Sequence, residues 1–248
     1  MPDNGKSARA KTADLSAQIA KSIRDAILSG ALSADERLPS EAELADQFSV
    51  SRPTVREALK RLAAQSLIRT ERGAFGGAFV RRLSYKEAQA QNVTASTLLL
   101  TINDVRFDVA CEARFAMERA CIALAAQRRQ PSHLAAMRAE IDRQQNRALT
   151  DEDFCASDVA LHRALVDGAG NPVLSYHLAG AVEAMQPLMN MITFSTRSRS
   201  RIVALHTALT DALEAGDVPA AETALDALQI YTLELGREAM AKRAAARR

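Results

Sequence analysis

The sequence predicts a mainly α-helical protein, with an N-terminal winged helix-turn-helix followed by an all-α antiparallel bundle of six or seven helices. Three observations lead to this fold class. Apolar residues recur at helical spacing through most of the 248 residues, strand-like patterns are confined to residues 67–81, and aromatic residues make up only 4% of an alanine-rich chain. Small side chains of this kind favour closely packed helices.

The first part of the chain contains clear helix starts. Residues 15–28 carry apolar side chains every three or four positions, which predicts an amphipathic helix. Ser40 and Glu43 have the spacing of a capping box, in which side chain and backbone bond reciprocally, so a short helix is predicted to begin there. A longer helix is predicted over 51–65, with Pro53 in its first turn, where the missing N–H costs nothing.

A β-hairpin is predicted directly after this longer helix. Residues 67–70 and 78–81 are the predicted strands, and the glycine-containing segment 72–77 is the turn between them. A winged helix-turn-helix has this order of elements: a helix, a short helix, a tight turn, a longer helix and a hairpin. The turn of the hairpin is the tip of the wing.

After residue 83 the strand patterns end and only helices are predicted, at 85–100, 104–129, 131–147, 151–168, 172–195, 199–215 and 218–244. The predicted domain organisation is a disordered tail at 1–13, the winged helix-turn-helix at 14–82, a linker and first helix at 83–97, a helical domain at 98–241 and a basic tail at 242–248.

Composition favours a soluble cytoplasmic protein. Hydrophobic residues make up 48% and charged residues 25% of the chain, which is ordinary for a globular protein. Residues 1–16 lack the apolar segment of a signal peptide, and no apolar run is long enough for a membrane helix. Cys111, Cys121 and Cys155 are odd in number and lack CxxC spacing, so we expect reduced, buried thiols.

Positive charge is concentrated in the first third of the chain. Residues 1–82 carry 14 Lys and Arg against 10 Asp and Glu, whereas the remainder has a small acidic excess. A basic first part is typical of a module that contacts phosphates, although a solvated surface also produces such an excess.

The helix predicted over 51–65 carries a basic stripe. Arg52, Arg56 and Lys60 follow each other at intervals of four and therefore share one face. Arginine can bind guanine with two hydrogen bonds in the major groove, and lysine or a hydroxyl such as that of Thr54 suits a phosphate. A solvated amphipathic helix is the alternative, but the neighbouring capping box, turn and wing favour DNA binding.

Three stretches of this part form one longer pattern: LPSEAELA at 38–45, VSRPTVREAL at 50–59 and LAAQSLI at 62–68. In these stretches the chain resembles the GntR family of bacterial transcription regulators. Two positions depart from the family pattern: Ala42 stands where many members carry a DNA-contacting arginine, and Asp35 replaces the usual glycine of the connector.

The resemblance implies a set of operator contacts. Ser51, Arg52 and Arg56 are the positions that contact DNA in the family, and Arg72 with Gly73 at the wing tip reaches the adjacent groove. The implied partner is double-stranded operator DNA, bound by a homodimer.

In the second part, Asp158 and His162 lie four residues apart on one predicted helix and so share a face. A carboxylate oxygen and an imidazole nitrogen are suitable ligands for a divalent metal. A local hydrogen bond within the pair is the alternative, and the residues alone favour it.

A second resemblance is carried by segments 111–114 with Glu118, 158–162, 171–174, and His206 with 212–217. Through these segments, residues 98–236 resemble the FCD effector domain of the FadR subfamily, where an Asp, the His four residues on and two later His commonly hold Zn²⁺ or Ni²⁺. The first three ligands map onto Asp158, His162 and His206, whereas Leu228 occupies the place of the fourth. The metal is therefore either held by three protein ligands and completed by water or an effector carboxylate, or lost in favour of direct effector binding.

Arg114 is the candidate effector-binding residue, because its family counterpart often faces the cavity and a guanidinium grips a carboxylate with two hydrogen bonds. A structural ion pair with Glu112, Glu118 or another carboxylate of the bundle is the alternative.

These features together predict a regulator without enzymatic activity, most simply a repressor, whose DNA binding responds to a small carboxylate. An acyl-CoA sensed without metal is the second candidate effector. A metal-dependent hydrolase with a DNA-binding appendage is disfavoured, because no HExxH or GxSxG pattern occurs. An architectural protein would bind DNA with weak sequence preference, whereas base-reading arginines predict specificity.

Overall fold

The chain divides into two compact units between Ser84 and Tyr85. The structure is a computed structural model, and it describes residues 4–73, 76–102, 105–187, 189 and 198–246. Among the helices in these ranges, none is long and apolar enough to cross a bilayer.

The first unit begins with a helix that is longer than predicted. Helix α1 starts at Asn4, so the expectation of a disordered tail is wrong for residues 4–13. No glycine or proline interrupts the chain between Lys6 and Ser29, and the alanine, lysine and arginine residues in this stretch are strong helix formers. The elements described in this unit are α1 (Asn4–Leu28), α2 (Glu41–Phe48), α3 (Arg52–Ala64), β1 (Ile68–Glu71) and β2 (Gly77–Val80).

Side-chain caps fix where α2 and α3 begin. The backbone N–H of Ser40 donates to Oε2 of Glu43 (2.7 Å) and the backbone N–H of Glu43 donates to Oγ of Ser40 (3.3 Å), which confirms the predicted capping box. Ser49, between the two helices, has left-handed backbone angles (φ 52°), and Ser51 then caps α3. The caps and the tight turn therefore fix the orientation of α3 relative to α2.

Helix α3 buries one face. Val55, Ala58 and Leu62 are fully buried, in a core that also contains Ile68 and Val80 of the two strands. Burial of such a stripe supplies most of the stability of a short helix. The opposite face of α3 is left exposed.

The hairpin forms the predicted wing. Its antiparallel ladder starts at the Ile68–Val80 pair and runs outward, and Arg37 adds a single bridge to Phe79. Strands and turn match their predicted positions to within one residue, while residues 74–75 of the predicted wing tip lie outside the described residues.

The second unit is helical throughout its described residues. The prediction of one helix over 172–195 is wrong, because α8 ends at Val182 and passes into a 3₁₀ helix; residues 190–197 lie outside the described ranges. The predicted basic tail is helical as far as Ala246, since an alanine-rich sequence continues the last helix. The elements are α4 (Tyr85–Ile102), α5 (Phe107–Arg128), α6 (Pro131–Gln145), α7 (Asp151–Gly168), α8 (Pro172–Val182), the 3₁₀ helix (Glu183–Met185), α9 (Arg199–Ala215) and α10 (Val218–Ala246).

Connectors of only two or three residues, at 129–130, 169–171 and 216–217, join successive helices of this unit. Helix α7 packs on α5 and α6, and α10 packs on α5 and α9. Gly236 lets α10 approach the start of α5, because a Cβ at this position would overlap the ring of Phe107. The C-terminal helix thereby closes the bundle.

Cys111, Cys121 and Cys155 are all buried, as the sequence predicted, and none of them is joined in a disulfide among the described residues. Burial raises the pKa of the Cys111 thiol to about 12 and that of Cys121 to about 11. Both thiols are therefore protonated at neutral pH and act as small apolar core residues.

Candidate functional site

The first candidate site is the exposed face of α3. Arg52, Arg56 and Lys60 lie on this face, opposite the buried stripe, as their spacing predicted. Arg56 is 58% and Lys60 69% exposed. This row of long cationic side chains is suitable for contacts with phosphates and base edges.

Arg56 is held by a carboxylate from the preceding helix. Its Nε donates to Oε1 of Glu41 (3.1 Å) and its Nη2 donates to Oε2 of the same residue (2.7 Å). The pair lowers the pKa of Glu41 and raises that of Arg56, chiefly through these hydrogen bonds. The sequence analysis did not predict this contact, because Glu41 and Arg56 lie on different helices.

Thr54 does not lie on the exposed face. Its side chain is only 4% exposed, and its hydroxyl is 2.8 Å from Oγ of Ser51, which also accepts from the backbone N–H of Thr54 (3.4 Å). The expectation that Thr54 faces a phosphate is therefore corrected: it occupies the buried side of the first turn and positions Ser51, which is exposed.

At the wing, Arg72 and Gly73 are both exposed. Gly73 has a φ of +108°, which side chains other than hydrogen rarely allow, and its carbonyl accepts from the N–H of Gly76 (2.9 Å). The tight turn at this end of the hairpin places Arg72 beside the tip.

The second candidate site is a buried polar cluster in the second unit. Helix α5 contributes Arg114, α7 contributes Asp158 and His162, and α9 contributes His206. One ligand atom from each of the last three residues lies within 4.8 Å of the others, and Nε2 of His206 is 3.3 Å from Oδ1 of Asp158. The fold therefore brings the three predicted metal ligands together.

Glu118 completes the cluster on the α5 side. It is fully buried, accepts from Nε of Arg114 (2.7 Å), and lies 2.6 Å from Nδ1 of His162. Burial opposes its charge, but His162 and Arg114 hold the pKa of Glu118 below its usual value. An ionised Glu118 is an acceptor for an Nδ1 proton of His162, and a neutral ring held in this way would offer Nε2 as an electron-pair donor.

Gln144 plays the same part for His206. Oε1 of Gln144 is 2.8 Å from Nδ1 of His206, and Nε2 of Gln144 donates to Oγ of Ser157 (3.1 Å). The Ser157 hydroxyl donates to the backbone carbonyl of Glu140 (3.3 Å), which can only accept. Ser157 must then accept from the amide, so Oε1 faces His206 and receives its Nδ1 proton.

The remaining nitrogen of His206 faces a carboxylate. Burial lowers the pKa of His206, which favours the neutral ring. Burial opposes ionisation of Asp158, but the Arg114 guanidinium beside it helps to hold its pKa below the usual value. A neutral His206 turns the lone pair of Nε2 towards the ionised Asp158, and Nε2 has no hydrogen-bond partner among the described residues.

Such a donor set fits a divalent metal. Zn²⁺ and Ni²⁺ accept such ligands: two imidazoles with fixed tautomers, each supported by a buried acceptor, and one carboxylate. A cation next to Nε2 of His206 would satisfy this atom and remove the repulsion from Asp158.

Leu228 borders the cavity beside this cluster, is 3% exposed, and offers no ligand atom. The enclosed space is small: the part that the centre of a water-sized sphere can reach is about 20 Å³. Its polar side includes Arg114, Asp158 and His162, and its apolar side includes Phe115, Val159, Met189, Ile202, Leu228, Tyr231 and Leu235. A small ligand with a polar head and a short apolar body fits such a lining.

Arg114 forms the structural ion pair considered from the sequence, and its position is compatible with an effector contact as well. Its Nε forms the ion pair with Glu118, while its Nη2 lies 3.6 Å from Oδ2 of Asp158 and has no hydrogen-bond partner among the described residues. The Nε of the guanidinium is therefore used in the ion pair with Glu118, and Nη2 remains available to a ligand.

Comparison with known proteins identifies both units. Residues 15–80 match the bacterial regulatory proteins of the gntR family, and residues 110–229 match the FCD domain. The chain is 31% identical over 223 residues to the "Putative L-lactate dehydrogenase operon regulatory protein" of Escherichia coli K12, covering 85% of this chain and 82% of that protein. This chain belongs to the GntR family.

Other GntR relatives support the assignment. The galactonate operon transcriptional repressor of Escherichia coli K12 is 29% identical over 189 residues, which cover 75% of this chain and 81% of the repressor. A solved GntR structure from Streptococcus agalactiae superposes with a TM-score of 0.58 at 21% identity, covering 90% of this chain and 99% of that one, and so shows the same fold. The protein is thus a DNA-binding transcription regulator with an FCD effector domain.

Proposed function

We propose that this GntR regulator is a homodimeric repressor that binds a short pseudo-palindromic operator, and that a small carboxylate metabolite bound in the FCD domain modulates this binding. Asp158, His162 and His206 would hold a Zn²⁺ or Ni²⁺ ion. Arg114 would bind the metabolite carboxylate.

The observation that carries the effector proposal is a pair of buried polar atoms, one on Arg114, which lines the cavity, and one on His206, which lies against the cavity residue Asp158. Nε2 of His206 and Nη2 of Arg114 are enclosed without a hydrogen-bond partner among the described residues, which is costly in a folded protein. A bound ion would supply positive charge and open coordination positions for a ligand oxygen. A carboxylate would accept from Arg114.

Two further points favour a small acid. The names of the relatives refer to L-lactate and galactonate, which are both hydroxy acids. Leu228, which replaces the expected fourth ligand, leaves coordination positions that an effector oxygen can take, and adds an apolar wall suited to a short carbon chain.

On the DNA side, we propose that Ser51, Arg52 and Arg56 contact the operator from α3 and that Arg72 and Gly73 contact the adjacent groove from the wing. Lys60, one turn further along the exposed face, would contact a phosphate. A dimer places two such modules on two half-sites, so effector binding can act by changing the spacing of the two DNA-binding units.

A thermal-shift experiment tests the effector site. Protein loaded with Zn²⁺ or Ni²⁺ and chelator-treated protein are screened in parallel against hydroxy acids, sugar acids and acyl-CoAs. At a concentration 100 times its Kd, a ligand stabilises the native state by about 2.7 kcal/mol, which raises Tm by several degrees in a domain of this size. We expect hydroxy or sugar acids to raise Tm only in the metal-loaded protein.

Variants on α7 provide the control. Asp158→Asn removes a proposed ligand and should abolish both the metal shift and the carboxylate shift. Glu152→Gln removes one exposed carboxylate from the same helix and should leave both intact. Shifts that are indifferent to chelator, or that occur with acyl-CoAs alone, contradict the metal site, and turnover of a substrate by the purified protein contradicts a purely sensory role.

A further inference from the structure

We propose that Glu41 is a positioning residue for base recognition: it holds Arg56 so that the free end of the guanidinium is presented to a guanine in the operator. The inference rests on the proposed operator contact of α3, and assigns a role in it to a residue of α2. It would make Glu41 a determinant of sequence specificity.

The local structure holds Glu41 in place. Glu41 is the first residue of α2, directly after the cap Ser40, and the capping box with Glu43 fixes this helix start. Arg56 lies in the second turn of α3, whose start is fixed by the cap Ser51. The two side chains therefore project from helix ends that are each anchored by hydrogen bonds.

The geometry of the pair leaves a specific edge of Arg56 free. The carboxylate of Glu41 takes Nε (3.1 Å) and Nη2 (2.7 Å) of the guanidinium. Nη1 keeps both of its hydrogens, and Nη2 keeps one. The Nη1–Nη2 edge offers two parallel donors, which is the pattern that matches O6 and N7 of guanine in the major groove.

The exposure of the pair argues for a role in recognition over one in stability. The side chain of Arg56 is 58% exposed and that of Glu41 is 37% exposed, and ion pairs in such positions contribute little to folding. The two hydrogen bonds to Glu41 do, however, restrict the orientation of the long, flexible Arg56 side chain. The negative charge of Glu41 also disfavours unspecific approach to phosphates, which sharpens discrimination.

Selection from a random library of double-stranded DNA tests the role and does not require a known operator. The full-length protein, Glu41→Gln, Arg56→Ala and the double variant are each selected at one salt concentration, and enriched sequences are counted. Glu57→Gln is the matched control, because Glu57 lies on α3 beside Arg56 but pairs with Lys60 (3.8 Å).

For the wild type, we expect one guanine in each half-site whose preference disappears in Arg56→Ala. Glu41→Gln should reduce preference for that same guanine by at least fivefold and leave other positions unchanged, with no additional loss in the double variant. Glu57→Gln should keep the preference for this guanine. Circular dichroism should show equal helix content in all variants.

Two results overturn the inference while operator recognition stands: Glu41→Gln retains the guanine preference, or it binds every sequence more tightly without loss of discrimination, as a mere competitor for Arg56 would. If the wild type enriches no sequence at all, operator recognition itself fails, and the inference fails with it.

Discussion

Nδ1 of His206 lies 2.8 Å from Oε1 of Gln144, and this contact determines which ring nitrogen faces Asp158. Gln144 is oriented in turn by Ser157 and the carbonyl of Glu140. The Glu140 carbonyl can only accept, so the Ser157 hydroxyl donates to it and accepts from the Gln144 amide nitrogen. The Gln144 oxygen then faces His206, so a backbone carbonyl on α6 ultimately sets the tautomer of a histidine on α9. Outer contacts of this kind commonly tune metal affinity.

Replacing Gln144 should therefore weaken metal binding. In Gln144→Leu the acceptor for Nδ1 of His206 is lost, the ring can adopt the other tautomer, and we expect Zn²⁺ affinity to fall about 10–100-fold. Competition with a chromophoric chelator measures the change. Gln145→Leu, at the adjacent exposed position, is the control, and equal affinities in wild type and Gln144→Leu would refute the role of the amide.

Leu228 can be used to restore a fourth ligand. In Leu228→His without metal, the buried imidazole lacks a partner and should cost about 1–3 kcal/mol of the free energy of unfolding. Metal should reverse this loss, and the Kd for Zn²⁺ should fall at least tenfold. Leu225→His, one turn away and fully buried, should be destabilised with no recovery on adding metal; recovery in both variants would point to unspecific binding.

Glu118 should contribute stability that depends on pH. Its pKa is lowered in the folded protein, so the contribution is complete above the unfolded-state value of 4.5 and is lost as the pH falls through the lower folded-state value. At pH 7, Glu118→Gln leaves Arg114 without its buried partner and should cost about 3–5 kcal/mol.

Urea unfolding of chelator-treated protein between pH 3 and 7 measures this dependence. The difference in the free energy of unfolding between wild type and Glu118→Gln should shrink below pH 4.5. Glu112→Gln changes an exposed position on the same helix and should unfold like wild type at every pH. If this difference stays constant down to pH 3, Glu118 is not ionised in the folded protein as we assign it.

Thr54 should matter for folding more than for DNA contacts. Thr54→Val keeps the shape of the side chain but removes the hydrogen bond to Ser51, and we expect a loss of about 1 kcal/mol in the stability of the first unit. The affinity for DNA should fall much less than in Arg52→Ala, which removes an exposed cation. Fluorescence anisotropy with labelled duplex checks this, and comparable losses in both variants would restore a direct contact by Thr54.

Local sequence signals predicted much of the fold. The cap at Ser40, Pro53 in the first turn of α3 and the glycines of the wing each act within a few residues, so their effects could be derived from the chain alone. The start of α1 at Asn4 and the end of α8 at Val182 were not predicted, because they depend on a polar but helix-forming stretch and on packing.

The candidate site was predictable only in part for a similar reason. Asp158 and His162 share a helix, and their spacing was sufficient to place them together. The contacts of Glu118 with His162 and of Gln144 with His206 join residues on different helices, 44 and 62 positions apart. No periodicity in the sequence reports such pairs; they appear only once α5, α6, α7 and α9 are packed.

The closure of the bundle by α10 against α5 has a consequence during synthesis. The wall that α10 adds to the cavity, including Leu228, leaves the ribosome after the other helices of the bundle, whereas the DNA-binding unit is complete once residue 84 has emerged. At bacterial translation rates the delay is roughly 10–30 s, since domains generally fold as units in order of synthesis. For that interval, each nascent chain carries a finished DNA-binding unit, while the cavity of the second unit has not yet closed.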